Sequence, residues 1–187
     1  MRHWSIPVLL LATSAAAQDA CEDAWFTRNL LMDRAGYCFG SPLGKALFDN
    51  SDCTGSDITL SPDVKFQVEA IKRFEASNGC TIDTSRTTLE IDDISIRRQL
   101  RDLPMRGPFE SACLGWLGEG AALRVGHDDA AHAIGQVEMG DFIMFSYLTV
   151  GDWSYVTTHD HDFTGLKAGG WVPNTIFPEE ACAEWAG

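Results

Sequence analysis

The stretch that decides the predicted fold is residues 122–177, which holds the apolar segments ALRVG (122–126), GQVEMGDFIMFSYLTVGDWSYVTT (135–158) and GGWVP (169–173). Within the long segment, Gly151-Asp152 forms a two-residue break between two apolar runs. Such a loop requires a positive backbone φ angle, which glycine adopts without steric cost, so the pair predicts a β-hairpin. Five or six short strands at this spacing are typical of a small β-barrel.

The first residues have the pattern of a secretory signal peptide. Arg2 and His3 precede an apolar run, residues 6–12, that is too short to span a membrane. Small residues at 15–17 fit a cleavage site, so we predict that residues 1–17 are removed. The mature protein is then periplasmic or secreted.

All six cysteines lie after the predicted cleavage site. An even number of cysteines in an exported chain predicts disulfide bonds and no free thiol. Six cysteines allow 15 pairings. Of these, the layout of the chain favours the pairing with the three bonds Cys21–Cys80, Cys38–Cys53 and Cys113–Cys182.

The formal net charge of −13 restricts the possible partners. An acidic surface repels nucleic acid and anionic lipid, so we predict neither as a partner. After the signal peptide, no apolar run is long enough to span a bilayer, so no membrane span is predicted.

Residues 18–80 carry the signals of three helices. Asp23 can cap a first helix at 23–35, which Gly36 would end in a left-handed conformation. Two Ser-Pro pairs, at residues 41–42 and 61–62, have the cap residue and the first-turn proline of a helix start. We therefore predict a compact helical unit.

Residues 81–112 are predicted to connect this unit to the strands and to contain one short helix. The adjacent Asp92 and Asp93 could cap it, and Arg97, Arg98 and Arg101 form a basic face in an otherwise acidic chain. An exposed face, or a brace against neighbouring carboxylates, is favoured over a grip on an acidic partner.

Residues 25–48, WFTRNLLMDRAGYCFGSPLGKALF, resemble the YARHG domain, a short extracellular module of bacteria. The resemblance rests on Arg28, Asn29, Arg34, Gly36 and the tail at 39–48. The name-giving motif reads MDRAG at 32–36, without the tyrosine and the histidine.

The strand region resembles a bacterial SH3-like domain through residues 123–126 (LRVG), Gly135, Gly140, Trp153, Val156 and 170–172 (GWV). That resemblance implies a cell-wall or protein-binding module rather than a catalyst. The whole chain is also similar to an uncharacterised family of small exported alphaproteobacterial proteins. The predicted fold class is therefore α+β, with a helical unit at 18–80 and a disulfide-stapled SH3-like β-barrel at 113–187.

Aromatic residues supply the predicted ligand-binding surface. If Val156 points into the barrel, its neighbours Trp153 and Tyr155 point outward, because side chains alternate along a strand. Exposed rings provide rigid contact area for a peptide, for peptidoglycan or for an envelope protein. The predicted set is Tyr147, Trp153, Tyr155 and Trp171. The alternative is that these rings pack against the helical unit or against the Cys113–Cys182 flank, which includes Trp116 and Trp185.

The rival hypothesis is a cell-wall hydrolase or a metal-dependent enzyme. His159 and His161 lie on one face of an extended segment at 159–162, and His127 and His132 lie in another loop. Two imidazoles and a carboxylate could hold zinc, but a third firm ligand is not evident. No nucleophile elbow, zinc-peptidase motif or phosphate loop is present. We therefore predict a non-enzymatic binding or interaction protein of the periplasm or envelope, without a cofactor.

Overall fold

The structure is a computed structural model that describes residues 15–187. The helices come first along this range: α1 (Ala15–Arg34), α2 (Pro42–Leu47), α3 (Pro62–Ser77) and α4 (Ile94–Gln99). The strands follow: β1 (Arg106–Trp116), β2 (Ala121–Arg124), β3 (Ala133–Val137), β4 (Phe142–Tyr147), β5 (Trp153–His159), β6 (Leu166–Pro173) and β7 (Cys182–Ala186). Two 3-10 helices, Asn174–Ile176 and Glu179–Ala181, lie between β6 and β7. None of the helices in the described range has the length and apolar character needed to span a membrane.

The predicted signal peptide lies mostly outside the described residues, and its cleavage stays a prediction. The first helix differs from its predicted form, because α1 already begins at Ala15. Asp23 is therefore an interior residue of α1 and not its cap. Its side chain is buried against Arg97 from α4, which explains why an acidic residue occupies this inward-facing position.

The Ser-Pro starts of the next two helices are confirmed. Ser41 Oγ accepts a hydrogen bond from the backbone N–H of Gly44 at 3.1 Å. Ser61 Oγ accepts one from Val64 at 3.3 Å. These bonds satisfy amide groups that the first helical turn leaves without partners.

The seven strands form one antiparallel sheet in the order β3-β2-β6-β5-β4-β1-β7. The predicted turn at Gly151-Asp152 joins β4 to β5, with Gly151 at φ +57°. The sheet is open, so the predicted SH3-like barrel is not confirmed. In the described chain, β7 pairs with the outer side of β1 and β3 pairs with β2, which leaves both as edge strands.

The two faces of the sheet are buried in different ways. Val156 and Val172 point into a cluster inside the curled sheet. Their neighbours Tyr155 and Trp171 point the other way, into a cluster shared with α1, α2 and α3. The alternation inferred from the sequence is therefore present, but the helices cover the face that was expected to be open.

Three disulfide bonds fix this arrangement, and they are the pairs favoured by the layout of the chain: Cys21–Cys80, Cys38–Cys53 and Cys113–Cys182. The first ties the first half of α1 to the segment just after α3, and the last ties β1 to the edge strand β7.

Candidate functional site

The predicted aromatic set lies largely between the sheet and the helices. Tyr155 and Trp171 are each 1% exposed, whereas Tyr147 and Trp153 are partly buried. The ring centroids of Tyr147 and Tyr155 lie 5.0 Å apart, and those of Tyr155 and Trp171 lie 6.0 Å apart. The exposure expected for Tyr155 was wrong, and the alternative, that the rings pack against the helical unit, holds for Tyr155 and Trp171. Ligand binding by the set stays a prediction.

A buried ionic network lies directly beside these rings. The guanidinium of Arg97 is fully buried and donates to Asp23, to Asp93 at 2.9 Å and to the Thr27 hydroxyl at 2.9 Å. It also donates to the hydroxyl oxygen of Tyr147, which in turn donates to Asp23 at 2.7 Å. The arginine of the basic face therefore braces α1, α4 and β4 against one another.

The electrostatics of the network follow from its burial. Burial raises the pKa of Tyr147 and of Tyr155 well above the ordinary value for tyrosine, so both hydroxyls stay protonated. Tyr147 thus keeps its bond to Asp23, and Tyr155 donates to Asp93 Oδ2 at 2.8 Å. Although burial alone lowers the pKa of Arg97, the charges of Asp23 and Asp93 outweigh it and hold that pKa well above its ordinary value. The charges of the network compensate one another, and hydrogen bonds fix its side chains. These properties indicate a structural role for the network.

The histidines named in the rival hypothesis have different contacts and different degrees of burial. His159 Nε2 lies 3.0 Å from Thr157 Oγ1, and burial lowers the pKa of His159. His127 Nδ1 lies 3.0 Å from Asp102 Oδ2. His161 is exposed. Within residues 15–187, no group of three His, Cys, Asp or Glu side chains is arranged to hold a metal ion.

The residues that resemble the YARHG domain serve packing within the chain. Arg28 Nε contacts both carboxylate oxygens of Glu75, at 3.1 and 2.9 Å, and so joins α1 to α3. Gly36 has φ +87°, a conformation that favours glycine. The Phe39 ring stacks on Phe48 with centroids 4.6 Å apart. These contacts stabilise the helical region.

Arg34, from the name-giving motif, binds the carboxyl end of α4. Its guanidinium donates to four backbone carbonyl oxygens at 2.7–3.4 Å, those of Arg97, Arg98, Leu100 and Arg101. The last carbonyls of a helix lack partners within the helix and carry its negative dipole, so a cation is favourable there. The guanidinium of Arg34 is thus already bound by backbone carbonyl groups of the same chain.

Replacing Arg34 with alanine should lower the free energy of unfolding by about 1 kcal/mol, the scale of a partly exposed charge at a helix end. The loss should be local, so amide hydrogen exchange should quicken at residues 94–101 more than in β5. Lys45→Ala, which removes an exposed cation from α2, serves as the control. Unchanged exchange at residues 94–101 would show that Arg34 does not hold α4.

An apolar groove, here called the junction groove, lies where α1, α3 and the start of β1 meet. Its lining consists of Ala24, Thr27, Ala70, Ile71, Phe74, Met105, Arg106, Pro108 and Leu148. Leu148 is 42% exposed at its edge. Phe66, one turn before Ala70 on the same side of α3, is 67% exposed and extends the apolar surface.

Sequence reasoning missed this groove because its walls come from four distant segments. The available signals were the row Phe66, Ala70 and Phe74 at a spacing of four residues and an apolar residue, Leu148, placed after a strand. Each of these is also typical of ordinary packing, so neither predicts a groove by itself.

A polar depression, here called the junction cleft, adjoins the groove, and Arg106 lines both. Its wall includes Glu90 and Asp92 from the segment before α4, together with Asp19 from α1 and His159 from β5. The three carboxylate residues are exposed and form no ion pair within residues 19–187. The cleft is therefore acidic.

Comparison with known proteins identifies two regions. A family described as "Domain of unknown function (DUF4453)" matches residues 79–187, and the YARHG domain matches residues 8–76. The YARHG resemblance is thereby confirmed, whereas the second region is not shown to be SH3-like. Neither family indicates an enzyme. No curated protein and no solved structure gave a match.

Proposed function

Because the chain belongs to the DUF4453 family and carries a YARHG domain before it, we propose that it is a non-enzymatic peptide-binding protein of the periplasm or the extracellular space. The YARHG domain is proposed to be an extracellular peptide-binding module, and the three disulfide bonds agree with an oxidising compartment. The junction groove is the single observation that carries this proposal.

The groove has the character of a site for an apolar side chain. Its floor includes Ala24, Thr27 and Ile71, each less than 5% exposed, and its edge includes the partly exposed Leu148. An apolar recess that remains open to solvent is the usual place for a ligand to bury apolar surface. Its walls come from packed helices and a strand, so little ordering is needed when a ligand binds.

Two other features favour this site over the surface around the YARHG motif and over the predicted aromatic set. Arg34 already binds the end of α4. Tyr155 and Trp171 are buried by the helices. The groove, by contrast, is open and is formed jointly by the two matched regions, since Ala70 belongs to one and Leu148 to the other.

Replacing Leu148 with glutamate should weaken peptide binding at least about tenfold, because a charged group would be placed where an apolar side chain of the ligand is buried. Peptides selected from a random linear library on the wild-type protein would be synthesised and titrated by fluorescence anisotropy. The matched control is Leu117→Glu, an exposed leucine just beyond the opposite end of β1. The variants should fold alike by circular dichroism.

Two arms of this experiment separate possible ligand sources. Retention of the protein on purified sacculi would identify peptidoglycan stem peptides as the ligand, whereas binding restricted to the synthetic peptides would identify protein segments. Failure to select any peptide, or equal binding by the Leu148→Glu and Leu117→Glu variants, would overturn the proposed site.

A further inference from the structure

Charge beside the junction groove restricts the ligand that the groove can accept. Arg106 lines both the groove and the junction cleft, so the two depressions lie next to each other at this residue. A peptide with one side chain in the groove would therefore have its neighbouring side chains within reach of the cleft.

The cations in the cleft are already compensated. Arg97 is fully buried and bound to Asp23 and Asp93. Arg106 donates to the carboxylate of Glu110. Neither guanidinium is therefore available to an anionic ligand.

Three further anions in the cleft are not compensated in the same way. Glu90 and Asp92 stand on the segment before α4, and Asp19 stands on α1. All three are exposed, and none forms an ion pair with another residue of the part of the chain that the structure describes from Asp19 onward. Burial lowers the pKa of His159, which keeps this imidazole neutral near pH 7 and adds no opposing charge.

We propose that the peptide bound in the junction groove carries a cationic side chain next to its apolar anchor, and that Glu90, Asp92 and Asp19 attract it. The inference rests on the proposed function and deepens it by naming the ligand class. An anionic or neutral side chain next to the anchor gains no attraction from these carboxylates. A lysine or arginine side chain can pack its methylene groups against the groove and place its charge over the cleft. The net charge of −13 also favours the approach of a cationic peptide.

The test compares two versions of one peptide that binds in the groove, with lysine or glutamine beside the anchor. At low salt the lysine version should bind about tenfold more tightly, and added salt should reduce this preference because it screens exposed charges. The double variant Glu90→Gln/Asp92→Asn should lose most of the preference.

The control is Glu119→Gln/Glu180→Gln, which makes the same change in net charge with two exposed carboxylates near the other end of β1. This variant should keep the preference. The inference is overturned if lysine and glutamine peptides bind equally, or if the control variant loses the preference as fully as the cleft variant. Either result leaves the Leu148→Glu effect, and hence the proposed function, intact; loss of that effect would reject the proposed function separately.

Discussion

Replacing Arg97 with alanine should lower the free energy of unfolding by about 3–5 kcal/mol, the cost of removing one partner from a buried ion pair. The guanidinium is fully buried, and Asp23 and Asp93 face it from α1 and from the start of α4. Without it, both carboxylates would remain in a region from which water is excluded, and Tyr147 and Thr27 would lose a donor.

Urea unfolding followed by tryptophan fluorescence measures this loss. Arg73→Ala removes an exposed arginine from α3 and should change the free energy of unfolding by less than about 0.5 kcal/mol. Adding Asp23→Asn and Asp93→Asn to the Arg97→Ala variant should recover part of the stability, because the uncompensated charges are then absent. A loss below about 1 kcal/mol for Arg97→Ala would show that the buried network does not hold the helices on the sheet.

Features that depend on local chemistry could be predicted from the sequence. Ser41 and Ser61 cap helices because a hydroxyl next to a proline-initiated turn has amide groups within reach. Gly151 supports a hairpin because its positive φ angle costs little. The cysteine pairs followed from the order of units along the chain, since each bond closes one compact segment.

Features that depend on how distant elements pack were not predictable. Asp23 and Asp93 have the residue type of helix caps, and only the folded structure shows that each carboxylate binds Arg97 instead. Tyr155 lies on the side of β5 opposite Val156, as alternation requires, but its exposure depended on where the helices dock. The junction groove has no local signal that predicts it by itself, because four segments form it.

Whether the sheet closes into a barrel could also not be predicted from the sequence pattern. Strand signals indicate how many strands form and where turns occur, but not whether the edge strands meet. Here β1 is paired on both sides, with β4 and with β7. Among the described strands, β7 therefore forms one edge of the open sheet and β3 forms the other.

Removing the Cys113–Cys182 bond with the double variant Cys113→Ala/Cys182→Ala should lower the free energy of unfolding by about 4 kcal/mol. The two cysteines are 69 residues apart, and opening so long a loop increases the conformational freedom of the unfolded chain. Both residues are also buried in the cluster inside the sheet. Because β7 pairs with β1 alone among the described strands, its hydrogen bonds should be the first to open.

The matched comparison is the Cys38→Ala/Cys53→Ala variant, whose cysteines are only 15 residues apart. A loop of this length corresponds to a loss of about 3 kcal/mol, so this variant should be the more stable of the two. Urea unfolding gives both free energies, and amide hydrogen exchange at residues 182–186 reports the detachment of β7. A larger loss for the Cys38–Cys53 pair would show that the constraint on the unfolded chain is not the main contribution. Unchanged exchange in β7 would show that its pairing with β1 holds the edge strand without the bond.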